Sequence, residues 1–258
     1  YDGLSPGKGP RRLEFLDFVR KRGGRIHDSA ADPMFTQVID AFTALRRRKM
    51  PDEIAIMRQC MRATEAGHAW ARHNIRAGLS ELDMYLGVAK ACQETAGQPI
   101  VVYGDFAVSP GSARRGGPPT HHVLADGEMF ILDYSVGGRP NADQRRLYDL
   151  CRGAMAAGEK ELRAGASCLA VYNAMNGVFA REGMDRYFPH HGGHGLGQSH
   201  PEDPYIVRTA NQDLLAGDVV TLEPGLYVDG VGGIRIEHNY LITDAGHDRL
   251  SNDEMALV

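Results

Sequence analysis

The chain has 258 residues, 43% of them hydrophobic and 24% charged, enough to bury a sizeable core in one large domain or two small ones. Its net charge of −4 excludes a global basic field for nucleic acid or anionic membrane; the arginine clusters at 11–12, 46–48 and 114–115 are short and scattered, and read as solvated faces. Cys60, Cys92, Cys151 and Cys168 show no CxxC spacing, which points to free thiols in a reducing cytoplasm, and no apolar run approaches a membrane span or a signal peptide.

Residues 1–40 differ in character from the rest of the chain. A Pro/Gly-rich start leads into a helix-like run, RRLEFLDFVRKRG, and then into DSAADP, a turn signal. From about residue 41 the periodicity is helical. Pro51 suits a helix start, and Ile54, Met57, Met61 and Thr64 recur at three- and four-residue steps until Gly78 breaks the pattern. Ser80 with Asp83 resembles a capping box that opens a second helix, ending before Gly97. IVVYGDFAVSPG is β-branched and aromatic, and residues 128–136, EMFILDYSV, read as a strand. Helices fit 142–163 and 168–182, and the last third alternates strand patterns, VVTLEPGLYV and GGIRIEHNYLIT. Helices opening each half with strands behind them favour an α+β fold over alternating βαβ units. One echo supports two similar halves: Gly127 to Asp133 and Gly217 to Glu223 share a turn glycine, an acid, four strand residues and a carboxylate.

Three acids sit where apolar neighbours predict burial. Asp133 follows Met-Phe-Ile-Leu, Glu223 follows VVTL, and Glu237 lies within IRIEHNYLI. A lone buried carboxylate costs several kcal/mol unless paired or metal-bound. One such acid could face water at a strand edge or pair with an arginine such as Arg235; three need a common cause. Carboxylates with a histidine form a hard, oxygen-rich site suited to two divalent ions, and the corresponding reaction class is metal-assisted hydrolysis. The stretch HHGGHGLGQSH, residues 190–200, has neither a phosphate-loop spacing nor HExxH. It reads as a loop or strand edge whose glycines let backbone crowd a ligand and whose histidines serve as ligand and proton shuttle.

The segments KMPDEIAIMR, GEMFILDYSV, HHGGHGLGQSHPEDP, TLEPGLYV and GGIRIEHNYLIT, in that order across residues 41–258, resemble the creatinase/aminopeptidase superfamily with the pita-bread fold, most closely its Xaa-Pro aminopeptidase and Xaa-Pro dipeptidase (prolidase) branch. The resemblance implies an α+β fold of two pseudo-two-fold-related halves around a curved antiparallel sheet. It also implies two divalent ions (Mn, Co, Fe or Zn) held by two aspartates, a histidine and two glutamates. Matched by motif, Asp133 is the first aspartate, His194 the histidine, and Glu223 and Glu237 the glutamates. His200 matches a histidine that contacts the substrate and the transition state, His190 another on the substrate side, and Arg235 an arginine beside the last glutamate. His191 reads as a bystander. Residues 1–40 resemble the tail of a creatinase-like N-terminal domain, and a chain opening on Tyr1 fits a longer parent.

Three departures stand out. The second aspartate is carried in the family by a hairpin strand whose place here falls between Val136 and Gly137. Either that hairpin is deleted or a stretch of the protein is absent from the chain as read, and the close match of both flanks favours the second. Asp143 has nearly the right spacing, but its context, RPNADQRRLYDL, is that of a helix N-terminus. His194 and His200 are six apart where seven is usual, and Gly116 stands where the family has a histidine that His121 or His122 would have to replace from nearby.

The function implied is hydrolysis of an N-terminal Xaa-Pro bond in dipeptides or longer peptides. A metal-bridging hydroxide would attack the carbonyl, His200 would stabilise the oxyanion, and Glu223 would act as base and then acid. The partner expected is a peptide with proline second, with no nucleic acid or membrane, in a cytoplasmic homodimer. Two other readings keep the fold: non-peptidase chemistry, as in a creatinase-like hydrolase or a lyase, and a catalytically silent protein-binding module.

Overall fold

The computed structural model describes residues 21–23, 33–132, 135–137, 141–197 and 201–252. Residues 11–20 of the first helix-like run, residues 28–32 of the turn after it, Asp133 and His200 lie outside them. Contacts divide the chain into two compact units, Tyr1–Arg46 and Arg47–Val258. In the first, helix α1 (Pro33–Arg47) starts earlier than the expected residue 41, on a proline whose fixed φ suits a first turn.

The second unit is built twice from one plan, a helix pair backing an antiparallel sheet. In its first half, α2 (Pro51–Asn74) and α3 (Glu81–Ala96) cover a sheet of β1 (Phe106–Val108), β2 (Phe130–Leu132) and β3 (Ser135–Gly137). The capping box expected at α3 is formed: Ser80 Oγ accepts from the Asp83 N–H, and Asp83 accepts from the Ser80 N–H. Gly97, at φ 69°, closes the helix in the left-handed conformation. Met84, Val88, Cys92, Phe106, Phe130 and Leu132 form the core here. Each large apolar side chain buried this way contributes about 1.5–3 kcal/mol.

In the second half, α4 (Ala142–Glu159) and α5 (Cys168–Arg181) cover five antiparallel strands in the order β10-β9-β6-β4-β5. These are β4 (Gly193–Gly195), β5 (Glu202–Ile206), β6 (Val219–Leu222), β9 (His238–Ile242) and β10 (His247–Arg249). The hairpin of β7 (Gly225–Val228) and β8 (Gly232–Arg235) continues beyond β6 and β9. Met155, Phe179, Leu222, Ile234 and Tyr240 lie in the core between layers. Gln144, on the buried face of α4, donates to the Val231 carbonyl and ties that helix to the β7–β8 turn. The echo between halves is a structural one: Gly127 and Gly217 both adopt positive φ, at 82° and 92°, just before β2 and β6.

One expectation changes. EMFILDYSV is not one strand but two, β2 and β3, paired antiparallel with Leu132 opposite Ser135 and Phe130 opposite Gly137. A run of strand-forming residues does not state where the chain turns back. Val136 and Gly137 are consecutive in β3, and the pairing runs through both without interruption. Asp143 lies exposed in the first turn of α4, where Asn141 caps the helix through the Gln144 N–H. Its charge complements the helix dipole there.

Candidate metal centre

A single strand register assembles the centre. Leu222 pairs with His238 across β6 and β9, Gly225 pairs with Arg235 across β7 and β8, and between them the Ile236 N–H donates to the Pro224 carbonyl. Glu223 and Glu237 therefore face each other across the ladder, and both are buried, at 6% and 4% exposure. Directly opposed like charges destabilise a sheet, and buried ones more so, unless a cation lies between or beside them. This is the anomaly anticipated from VVTLE and IRIE, now with both carboxylates at one place.

β4 brings the histidine. It lies between β6 and β5, with Gly195 opposite Val220, and the Glu223 N–H donates to the Gly192 carbonyl. Buried His194 consequently sits beside Glu223, its Nε2 3.2 Å from Glu223 Oε1. Its Nδ1 lies 2.8 Å from the Gly195 carbonyl. A carbonyl oxygen can only accept, so Nδ1 donates to it and the ring is fixed with Nε2 toward the carboxylate. His190 repeats the pattern: Nδ1 donates to the His191 carbonyl at 2.7 Å, leaving Nε2 as the free ring nitrogen. Fixing one ring nitrogen on a backbone carbonyl is the usual way a protein orients a ligating imidazole.

The glycines around His194 were expected to let backbone crowd a ligand. Here they let the backbone of neighbouring strands approach β4 itself. A Cβ on Gly193 would lie 1.9 Å from the Thr221 carbonyl oxygen, and one on Gly195 would lie 2.1 Å from that of Asp203. Strands β6 and β5 occupy the space, because β4 runs in the sheet interior. Gly193→Ala is expected to cost about 3 kcal/mol or more, since rigid backbone cannot yield as a flexible side chain can. A urea midpoint equal to that of the wild type would contradict this.

Arg235 bounds the other side of Glu223. Its Nε is 3.7 Å from Glu223 Oε2, its Nη2 is 2.6 Å from Asp105 Oδ2, and its Nη1 reaches the Tyr227 hydroxyl at 3.4 Å. Burial alone would raise the Glu223 pKa. The imidazoles of His191 and His194 and the charge of Arg235 outweigh it and hold the carboxyl well below the usual range. Burial also drives His190 down to about 4, so it is neutral at pH 7 and has a lone pair to offer. Tyr227 is pushed up to about 12, again mainly by burial, and stays protonated.

Asp105 was not anticipated as part of the site. Its Oδ1 accepts from the Gly117 N–H, and a Cβ on Gly116 would lie 2.1 Å from its Oδ2. The glycine standing where the family has a histidine is thus the residue that admits Asp105 to Arg235. His121 and His122 do not take that histidine's place: both are exposed, and His122 pairs with Glu128 at 2.8 Å. His191, read as a bystander, lies inside the cluster, with Nδ1 3.2 Å from Glu223 Oε1. No sequence signal marked it, because its neighbour His190 had already accounted for the motif.

The donor set fits a divalent cation. Among the described residues, Glu223 Oε1, His190 Nε2 and His191 Nδ1 are buried atoms without a hydrogen-bond partner. Unsatisfied buried polar atoms are rare, and three at one place call for a bound group.

A helix-backed antiparallel sheet built in two like halves, with carboxylates and imidazoles converging at one edge, is the pita-bread arrangement. The chain superposes on the prolidase from Pyrococcus horikoshii OT3 with a TM-score of 0.76 at 24% identity, covering 86% of this chain and 68% of that one. It superposes on the Xaa-Pro dipeptidase from Bacillus anthracis with a TM-score of 0.73 at 23% identity, covering 84% and 65%. In sequence it is 27% identical over 229 residues to an uncharacterized peptidase of Staphylococcus aureus (strain bovine RF122 / ET3-1), covering 81% of this chain and 64% of that protein. The chain therefore spans somewhat less than two thirds of that relative's length. Residues 134–244 match the model of Metallopeptidase family M24. The chain shares the fold of these structures, and the family match lies within its second half. Among the described residues, no helix is long and apolar enough to cross a membrane.

Proposed function

We propose that this chain is a metal-dependent peptidase that hydrolyses the bond between an N-terminal residue and a following proline. The observation that carries the reading is the opposed buried pair Glu223 and Glu237 with the His194 imidazole against it. Asp133, His194, Glu223 and Glu237 are the residues that would hold two divalent ions, drawn from Mn, Co, Fe or Zn. When bound, such ions lower the pKa of water and polarise the scissile carbonyl.

The chain's own residues supply the rest. Glu223, held ionised, accepts a proton from the attacking water and returns it to the departing proline nitrogen. Arg235, fixed by Asp105 and Tyr227, keeps the Glu223 carboxylate in one orientation and its charge in one state. His190, neutral and packed between Phe188 and Tyr227, faces the same space from the substrate side. His200 would donate to the carbonyl oxygen as negative charge develops on it.

The test is a panel of Xaa-Pro dipeptides and Xaa-Pro-Yaa tripeptides incubated with apo protein, then with protein loaded with Mn2+ or Co2+. The expected result is release of the N-terminal amino acid only after loading, and its loss on chelation. A metal-loaded protein that releases nothing from either class would overturn the Xaa-Pro reading. Release from dipeptides alone, or also from tripeptides, separates a dipeptidase from an aminopeptidase. A second reading, the same fold with other chemistry, is favoured by one observation: Gly116 stands where the family has a histidine, and the exposed His121 and His122 do not replace it.

A further inference from the structure

The metal ligands carried over from the family leave two imidazole nitrogens, beside the Glu223 carboxylate, without a ligand role. Glu223 Oε1, His190 Nε2 and His191 Nδ1 have no hydrogen-bond partner among the described residues. One ligand atom from each of these three residues lies within 4.8 Å of the others, and His191 Nδ1 is 3.2 Å from Glu223 Oε1. The closeness is not an accident of flexible side chains. His190 is locked by its Nδ1 bond to the His191 carbonyl and by edge contacts with Phe188 and Tyr227, at centroid distances of 5.2 and 5.5 Å. His191 stands edge-on between the rings of His190 and His194, at 5.6 and 5.4 Å. Glu223 is held from behind by its backbone bond to Gly192.

We propose that His191 is a metal ligand of this chain, binding through Nδ1 together with His190 and Glu223. The inference rests on the metal-dependent reading of the site and deepens it. The three residues form an imidazole corner of two nitrogens and one carboxylate oxygen. Such a set favours borderline ions over hard ones: imidazole suits Zn2+, whereas carboxylate-rich sites suit Mn2+. Ligation also accounts for the three orphaned atoms together, which a lone proton between two of them does not.

Zn2+ and Mn2+ binding to the full-length apo protein is measured by titration calorimetry, and Co2+ binding by its visible absorption, which reports the coordination environment. His191→Phe keeps a ring of similar size and removes the donor; His191→Asn is the second variant, and circular dichroism checks that each is folded. Both variants are expected to lose about 10–100-fold in Zn2+ affinity, with a smaller loss for Mn2+ and an altered Co2+ spectrum. A purely structural role for His191 would change stability but leave the Zn2+/Mn2+ ratio and the Co2+ spectrum as in the wild type, and that result overturns the inference while the metal reading stands. A wild-type protein that binds none of the three ions overturns both.

Discussion

Glu223→Gln is expected to weaken Co2+ binding by about 100-fold or more and to reduce metal-dependent hydrolysis by about 10²–10⁴-fold, the range for loss of a general base. Glutamine preserves the shape of the side chain and removes the charge. That charge lies opposite buried Glu237, 3.2 Å from His194 Nε2 and from His191 Nδ1, and 3.7 Å from Arg235 Nε. Its Oε1 has no hydrogen bond among the described residues, so a bound ion is its natural partner. Titration calorimetry on wild type and variant decides the matter. Unchanged Co2+ affinity would mean that Glu223 is held ionised for structural reasons, with Arg235 as its sole purpose.

Glu81→Ala is expected to destabilise the protein by about 3 kcal/mol or more, lowering the melting temperature by roughly 6–12 °C. Glu81 is fully buried at the start of α3, and its two oxygens accept five hydrogen bonds. They come from the Val108 N–H, twice from Arg114, and from the N–H and hydroxyl of Thr120. Alanine would leave buried donors unpaired in the segment between β1 and Thr120. That segment also carries Gly116 and Gly117, which seat Asp105 against Arg235, so the metal centre should loosen with it.

The same carboxylate confers a pH dependence. Burial opposes its charge, but the hydrogen bonds from Arg114, Thr120 and Val108 outweigh that and hold its pKa below the ordinary value, which is about 4.3 for an unfolded glutamate. A carboxyl group with a lowered pKa contributes stability that is full above the unfolded value and disappears as pH falls through the folded one. Chemical denaturation from pH 7 to pH 3 should therefore show stability falling below about pH 4–5, with a shallower fall in Glu81→Gln. Parallel curves for the two proteins would assign the acid sensitivity to other groups.

Much of the fold was legible because local rules and burial agree along this chain. Ser80 with Asp83 states a capping box, Pro51 a first turn, and Gly97 a helix end; each depends on atoms within a few residues, so each survives folding unchanged. The acids Glu223 and Glu237 were conspicuous for a related reason. A charge inside an apolar run is anomalous in any fold that buries the run, whatever the partner strand.

Other features depended on which strand lies beside which. The run EMFILDYSV could not reveal its own reversal, because β2 and β3 pair with each other rather than extending as one. The glycines of HHGGHGLGQSH signalled close backbone approach, but only the sheet order shows that the carbonyls of β5 and β6 are what approach them. Asp105 and Arg235 are 130 residues apart, and no local pattern joins them. His191 joins Glu223 only because the Glu223 N–H bonds to Gly192 and draws the two segments together. By itself, then, the sequence determined the helices, the strand-rich second half and the burial of two carboxylates, since these follow from propensity and from the apolar runs around the acids. Only the tertiary structure decided which imidazoles and which arginine meet those carboxylates, since that follows from strand register, a long-range pairing that no single segment encodes.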